Sequence, residues 1–229
     1  GSGNIAHFFA KRLYAKKINV HQIYSPNKSH ALLLAKAVKA QAISELEKLD
    51  ATVDVIIIAL TDQATLKLAT QLKLGKTICI YTSGSIATTS LKSISKNIAC
   101  IWPIHSITKA NLPANKLQVN AGIVCTKSSE GQLNEICTLL NLKFCGLTNK
   151  QKEILHLSAT VLNNFTNHLL ALTEVSLAHN KLSLQLLQPL MQNMLDSAMR
   201  QEASTKAIAN QTGPAIRRDR VTINKHLLL

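Results

Sequence analysis

Three groups of residues in this chain have types and spacings that could do chemistry. The first is Gly1-Ser2-Gly3-Asn4-Ile5-Ala6, which reads G-x-G-x-x-A. In that pattern the first glycine makes a tight turn out of a strand. Gly3 lacks a Cβ and lets the backbone approach a pyrophosphate, and Ala6 lets the next helix pack close to a sheet. The free N–H groups and the positive dipole end of that helix would face the phosphates. The second group is Ser25, Asn27 and Lys28, just after a stretch that alternates as a strand does, Ile18 to Tyr24. A carboxylate at this place ordinarily accepts from a ribose 2′-OH. Here there is no acid, and hydroxyls, an amide and a lysine would attract a 2′-phosphate instead. These residues therefore point to NADP over NAD. They also suit an ordinary turn capping the next helix, and both readings hold together if the turn is the binding loop. The third group comprises His105, Asn164 and His168, which could donate a proton or a hydrogen bond to a developing oxyanion.

The elements that must position these groups follow from periodicity. Ile5 to about Ala15 is amphipathic, with Ile5, Phe8, Phe9 and Leu13 on one face. Glycine turn, helix and strand thus arrive in the order of a βαβ unit, which a cloning remnant at the first three residues would not explain. A strand should precede the glycines, but the chain begins at the first of them, so a gap is expected at the centre of the sheet. A helix from about His30 to Val38 and a short strand from Gln41 to Ile43 come next. Val53 to Leu60 is almost wholly apolar, as in a parallel strand covered on both faces. It delivers Leu60, Thr61 and Asp62 to the crevice beyond the strand ends, where Thr61 or Asp62 also fits a helix N-cap. Thr77 to Tyr81 is a further strand. It is followed by Thr82, Ser83, Gly84 and Ser85, small residues that leave room for a flat ring or form a plain loop. Cys100 to Ile107 gives a strand and a proline-directed turn presenting His105. Ala121 to Cys125 and Lys143 to Leu147 are strands flanking a helix over about 129–140.

Beyond Lys150 only helices are expected. The stretch from Lys150 to about Asn180 has no interior Gly or Pro and places Leu155, Leu162 and Leu169 in near-heptad spacing. A second helix spans about Leu184 to Met199, and a last one starts near Thr222, after Thr212-Gly213-Pro214 and Arg217-Arg218-Asp219-Arg220. On the long helix, His156, Thr160, Asn163, Asn164, Asn167, His168 and Glu174 make a polar band. Asn164 and His168, four apart, share a face. The band reads as a pocket wall, a solvated face, or bonding across a helical dimer. The chain is thus α/β: a Rossmann-type, mostly parallel sheet domain over 1–147 lacking its first strand, then an all-helical domain over 148–229.

Composition bounds the partners. Apolar residues are 46% and charged residues 17%, as in a globular protein, and no apolar run reaches bilayer length. No leader segment is visible. The net charge of +14 invites nucleic acid, but the lysines are scattered and aromatics are only 3%. That speaks against a stacking platform and favours a polyanionic cofactor or acidic substrate. The five cysteines are odd in number and lack metal-ligand spacing. They read as buried free thiols of a cytoplasmic protein without a metal site.

Taken in order, G-S-G-N-I-A, L-T-D-Q-A, Y-T-S-G-S-I, W-P-I-H-S-I, H-L-S-A-T-V-L-N-N-F-T-N-H-L, T-G-P-A-I-R-R-D and T-I-N-K-H-L resemble the Rossmann-like proteins with a C-terminal helical domain of unknown function. That family is related to pyrroline-5-carboxylate reductases and deazaflavin-dependent NADP oxidoreductases. The resemblance implies an NADP-binding domain, a helical domain that forms a homodimer, and an active cleft between domains. It supplies no substrate, and the small-residue substrate motif of a true pyrroline-5-carboxylate reductase is missing. The expected function is an NADP-dependent oxidoreductase acting on a small molecule. A dinucleotide-binding regulator without turnover is the alternative.

Overall fold

The computed structural model describes residues 1–199 and 211–228. The chain divides into two compact units, Gly1–Leu162 and Asn163–Leu229. The first unit contains helices α1 (Asn4–Ala15), α2 (Lys28–Val38), α3 (Asp62–Gln71), α4 (Glu130–Leu139) and α5 (Asn149–Thr160). Its strands are β1 (Gln22–Tyr24), β2 (Gln41–Ile43), β3 (Val55–Ile58), β4 (Ile78–Tyr81), β5 (Ile98–Pro103), β6 (Val119–Val124) and β7 (Leu142–Gly146). β1 and β2 form a parallel pair, and β3 to β7 lie side by side in chain order. Within the larger sheet only the β5–β6 pair is antiparallel. Among the described residues β1 and β3 do not pair, so the sheet is in two pieces.

The apolar strands are explained by layers on both faces of the larger sheet. Successive side chains of a strand point to opposite sides. Ile78 and Ile80 of β4 accordingly pack with Phe8 and Phe9 of α1 and with Leu133 and Cys137 of α4. Cys79 and Tyr81 pack on the other side with Leu68 and Ala69 of α3 and with Leu91 and Ile94. Each fully buried aliphatic or aromatic side chain there contributes roughly 1.5–3 kcal/mol. A third cluster joins Ala6 and Ala10 of α1 to Ile23, Leu34, Ala35, Val38 and Ala59. The two alanines leave α1 close enough to serve both sheet pieces, and its buried face is wider than the four residues expected from periodicity.

Arg12, also on α1, is buried and stacks over the Phe8 ring at 4.4 Å. Its guanidinium donates to the carbonyls of Leu140 at 2.6 Å, Asn141 at 3.4 Å, Ala114 at 3.0 Å and Leu117 at 2.7 Å. A planar fork is needed to reach carbonyls from two separate segments at once.

The stretch expected to be one α-helix over 150–180 is helical throughout but not uniformly α. α5 starts at a capping box between Thr148 and Gln151, a π-helical segment spans Val161–Phe165, and α6 covers Thr166–His179. Local competition accounts for the interruption. Ser158 and Thr160 hydroxyls bond back to the carbonyls of Ile154 and His156, and Asn163 bonds Asn164 at 2.9 Å. Such side-chain bonds disturb an α-helix, and Asn is a poor interior residue. In the second unit a short 3-10 turn, Leu184–Leu187, leads into α7 (Gln188–Met199), and α8 (Arg220–Leu227) is capped by Asp219. Among the described residues no strand follows β7. No described helix is long and apolar enough to cross a membrane.

Candidate functional site

Because β3, β4 and β5 are parallel, their C-terminal ends share one edge, and the first two residue groups meet along it. α1 begins after Gly3 with no side-chain cap and no acidic residue in its first turn. The N–H groups of Asn4, Ile5 and Ala6 therefore lack an acceptor from the helix itself. Gly1 lies against the end of β3: a Cβ there would collide with the Ala59 carbonyl and stand 3.2 Å from the Leu60 side chain. At Gly3 the same Cβ would meet nothing within 4 Å. The first glycine is thus required by a close backbone approach, and the second opens onto free space. That is the cradle an anionic ligand needs at a helix N-terminus.

Ser2 links this turn to the next group, since its hydroxyl donates to Ser25 Oγ at 2.9 Å. Asn27 is the N-cap of α2, accepting from the His30 N–H at 3.1 Å. The segment is a capping turn, and it places Ser25, Asn27 and exposed Lys28 at the end of β1. No acid stands in the first turn of α2. On the other side, Thr61 caps α3 by accepting from the Ala64 N–H at 3.4 Å. Asp62 accepts a short hydrogen bond from Ser85. Thr82 donates to the carbonyl of Ile58 at 3.3 Å, tying the β4 loop to β3. Ser83 Oγ accepts from the N–H groups of Ser85 at 3.2 Å and Ile86 at 3.1 Å, so the loop Thr82–Ser85 is a hydrogen-bonded turn.

Beneath that loop is a residue the sequence reading passed over. Lys152 of α5 is 1% exposed. Its ammonium donates to the Ser83 carbonyl at 3.0 Å and, in a short bond, to that of Ile86, and lies 5.1 Å from the Tyr81 ring centre. Burial holds its pKa below the ordinary lysine value, opposed by Cys100 and Asp62. Burial likewise pushes the Cys100 thiol up to about 12, so Cys100 acts as a small apolar residue whose Sγ lies 3.4 Å from the Ser83 carbonyl. In the sequence Lys152 is one of two lysines in K-Q-K-E, and nothing distinguishes it from its exposed neighbour Lys150, which pairs with Glu153.

One turn beyond Lys152, His156 packs on the same loop. A Cβ on Gly84 would collide with the His156 ring and approach Trp102 Cε2 to 3.0 Å. The His156 and Trp102 rings meet edge to face with centroids 5.3 Å apart. His105 is exposed just past β5, and Asn164 and His168 are exposed in the second unit, Asn164 within the π-helical segment. All five cysteines are free, and no cluster of described residues could hold a metal ion.

The sheet order, the glycine cradle and the polar strand ends define a Rossmann-like dinucleotide-binding fold. Residues 1–89 match the family described as NADP oxidoreductase coenzyme F420-dependent, and residues 120–228 match a domain of unknown function, DUF2520. The two matches fall on separate parts of the chain, the second running from β6 through the helical region. Among solved structures it is similar to a provisionally named NADP oxidoreductase from Bacteroides fragilis. That match has 27% identity and a TM-score of 0.85, covering 99% of this chain and 87% of the other. A Thermotoga maritima protein aligns with 23% identity and a TM-score of 0.69, over 99% and 86%. A pyrroline-5-carboxylate reductase from Coxiella burnetii shares the fold at 14% identity and a TM-score of 0.60, over 99% and 89%. No curated protein matches the chain.

Proposed function

We propose that this chain is an NADP-dependent oxidoreductase acting on a small carbonyl or imine compound. The observation that carries the reading is the continuous edge from the Ser25–Lys28 turn, through the uncapped start of α1, to the loop Thr82–Ser85. That edge falls within the residues that match an NADP oxidoreductase family. Gly1, Ser2 and Gly3 with the N–H groups of Asn4, Ile5 and Ala6 hold the pyrophosphate. Ser25, Asn27 and Lys28 take the 2′-phosphate. Leu60, Thr61 and Asp62 line the middle, and Thr82, Ser83 and Gly84 border the ring. Bound there, a reduced nicotinamide supplies a hydride, and the protein's part is to orient the reactants and stabilise charge. His105, Asn164 and His168 are candidates for the proton donor or for hydrogen bonds to the oxyanion.

The helical unit serves as the contact between two copies of the chain. Its α6 carries apolar side chains at helical spacing that the single chain leaves exposed.

Calorimetry tests the cofactor reading. NADPH is expected to bind more tightly than NADH, and equal affinities sink the preference. A screen of carbonyl and imine metabolites for NADPH oxidation then separates enzyme from regulator. Tight binding without turnover of any substrate class would favour a regulatory protein.

A further inference from the structure

We infer that His156 is the residue that meets the nicotinamide ring and gives its proton to the substrate, a conclusion that rests on the cofactor reading above. The edge of the first unit has two ends. At one, Ser2 and Ser25 tie the glycine turn to the acid-free Ser25–Lys28 segment. At the other, beyond the contacts of Gly1 with Ala59 and of Thr82 with Ile58, the loop reaches Gly84. A dinucleotide with its 2′-phosphate at the first end extends its nicotinamide toward the second. There the side chain against Gly84 is that of His156.

The arrangement is built rather than incidental. Lys152 and His156 are four apart and share a face of α5. Lys152 holds the loop by the carbonyls of Ser83 and Ile86, while His156 occupies the space that any side chain at position 84 would need. Trp102 backs the imidazole from β5. Among the described residues neither ring nitrogen of His156 bonds to the protein, and the ring is half-buried, so both nitrogens are free for a ligand. When the carbon of a C=O or C=N group takes up the hydride of the reduced nicotinamide, the π pair of that bond moves to its oxygen or nitrogen. That atom takes the proton from a His156 ring nitrogen, and the imidazole recovers one from water.

The test uses histidine ring proton signals, with NADPH and adenosine 2′,5′-bisphosphate as probes, each brought to saturation by calorimetry. His156 is picked out among the eight histidines by loss of its signal in His156→Gln. Should that variant fail to fold, Gly84→Ala identifies the same signal by moving it. The expected result is a shift of the His156 signal with NADPH and none with the adenosine fragment. A signal unmoved by bound NADPH, or moved equally by the fragment, overturns the inference while leaving the cofactor reading intact. Absence of NADPH binding by calorimetry overturns both. With an NADPH-consuming substrate, His156→Gln should lower kcat by about 10²-fold or more, and an undiminished kcat would also overturn it.

Discussion

His7 is buried on α1, with its Nε2 unbonded among the described residues. Burial, then the charges of Lys109 and Lys11, hold its pKa below the ordinary 6.5. Protonation is therefore harder in the folded chain than in the unfolded one, and the unfolded state binds more protons between the two values. Stability should fall as pH drops from 6.5 through the lowered folded value. His7→Gln should flatten that part of a plot of Tm against pH, and parallel curves for the two proteins would assign the acid sensitivity to other groups. At Lys28 the expected effect is on ligand choice. Lys28→Glu puts a like charge beside a 2′-phosphate and should cut the preference for NADPH over NADH about three- to tenfold by calorimetry. An unchanged ratio would move the 2′-phosphate away from this turn.

Two helices act as clamps, each through one buried cation without a carboxylate partner among the described contacts. On α1, Arg12 fixes the Ala114–Leu117 segment and the end of α4 by their carbonyls. Lysine keeps the charge but loses the fork, so Arg12→Lys should destabilise by about 2 kcal/mol in denaturant unfolding. On α5, Lys152 fixes the loop after β4. Lys152→Ala leaves the Ser83 and Ile86 carbonyls without that donor and opens a cavity, an expected loss of about 2–4 kcal/mol. If either substitution were neutral, water must replace the cation at those carbonyls.

At the scale of the molecule the exposed apolar stripe of the helical unit dominates. Phe165, Leu169, Leu172 and Val175 are 60%, 63%, 54% and 57% exposed, at positions that recur along one side of a helix. A contiguous patch of this kind is unusual on a protein that works alone. A second copy covering it is expected to give a homodimer by sedimentation at micromolar concentration, and Leu172→Glu should shift that dimer to monomer. A wild-type chain that sediments as a monomer would refute the proposed assembly.

What the sequence determined by itself was whatever local periodicity and local sterics control. The all-apolar run of β3 announced a doubly covered strand, and G-x-G-x-x-A announced a turn at Gly1, whereas the close approach to Ala59 that excludes a Cβ there came from the packing. The turn before α2 was readable as a cap, and that before α3 as a cap at Thr61 or Asp62, because a cap needs only the next three residues; the structure shows Asn27 and Thr61 in those places. The mostly parallel order of the strands followed from helices alternating with strands, which leaves few alternatives. What only the tertiary structure decided was which polar side chains meet across long separations. Lys152 and His156 come against Ser83 and Gly84 because α5 packs over the loop that follows β4, a pairing roughly 70 residues apart that no local pattern encodes. Their burial likewise depends on Tyr81 and Trp102, supplied by two other strands. The π-helical segment escaped the sequence reading for a related reason. Its apolar spacing suits an unbroken helix, whereas the hydroxyl bonds of Ser158 and Thr160 to the backbone and the Asn163–Asn164 side-chain bond are visible only once the side chains are in place.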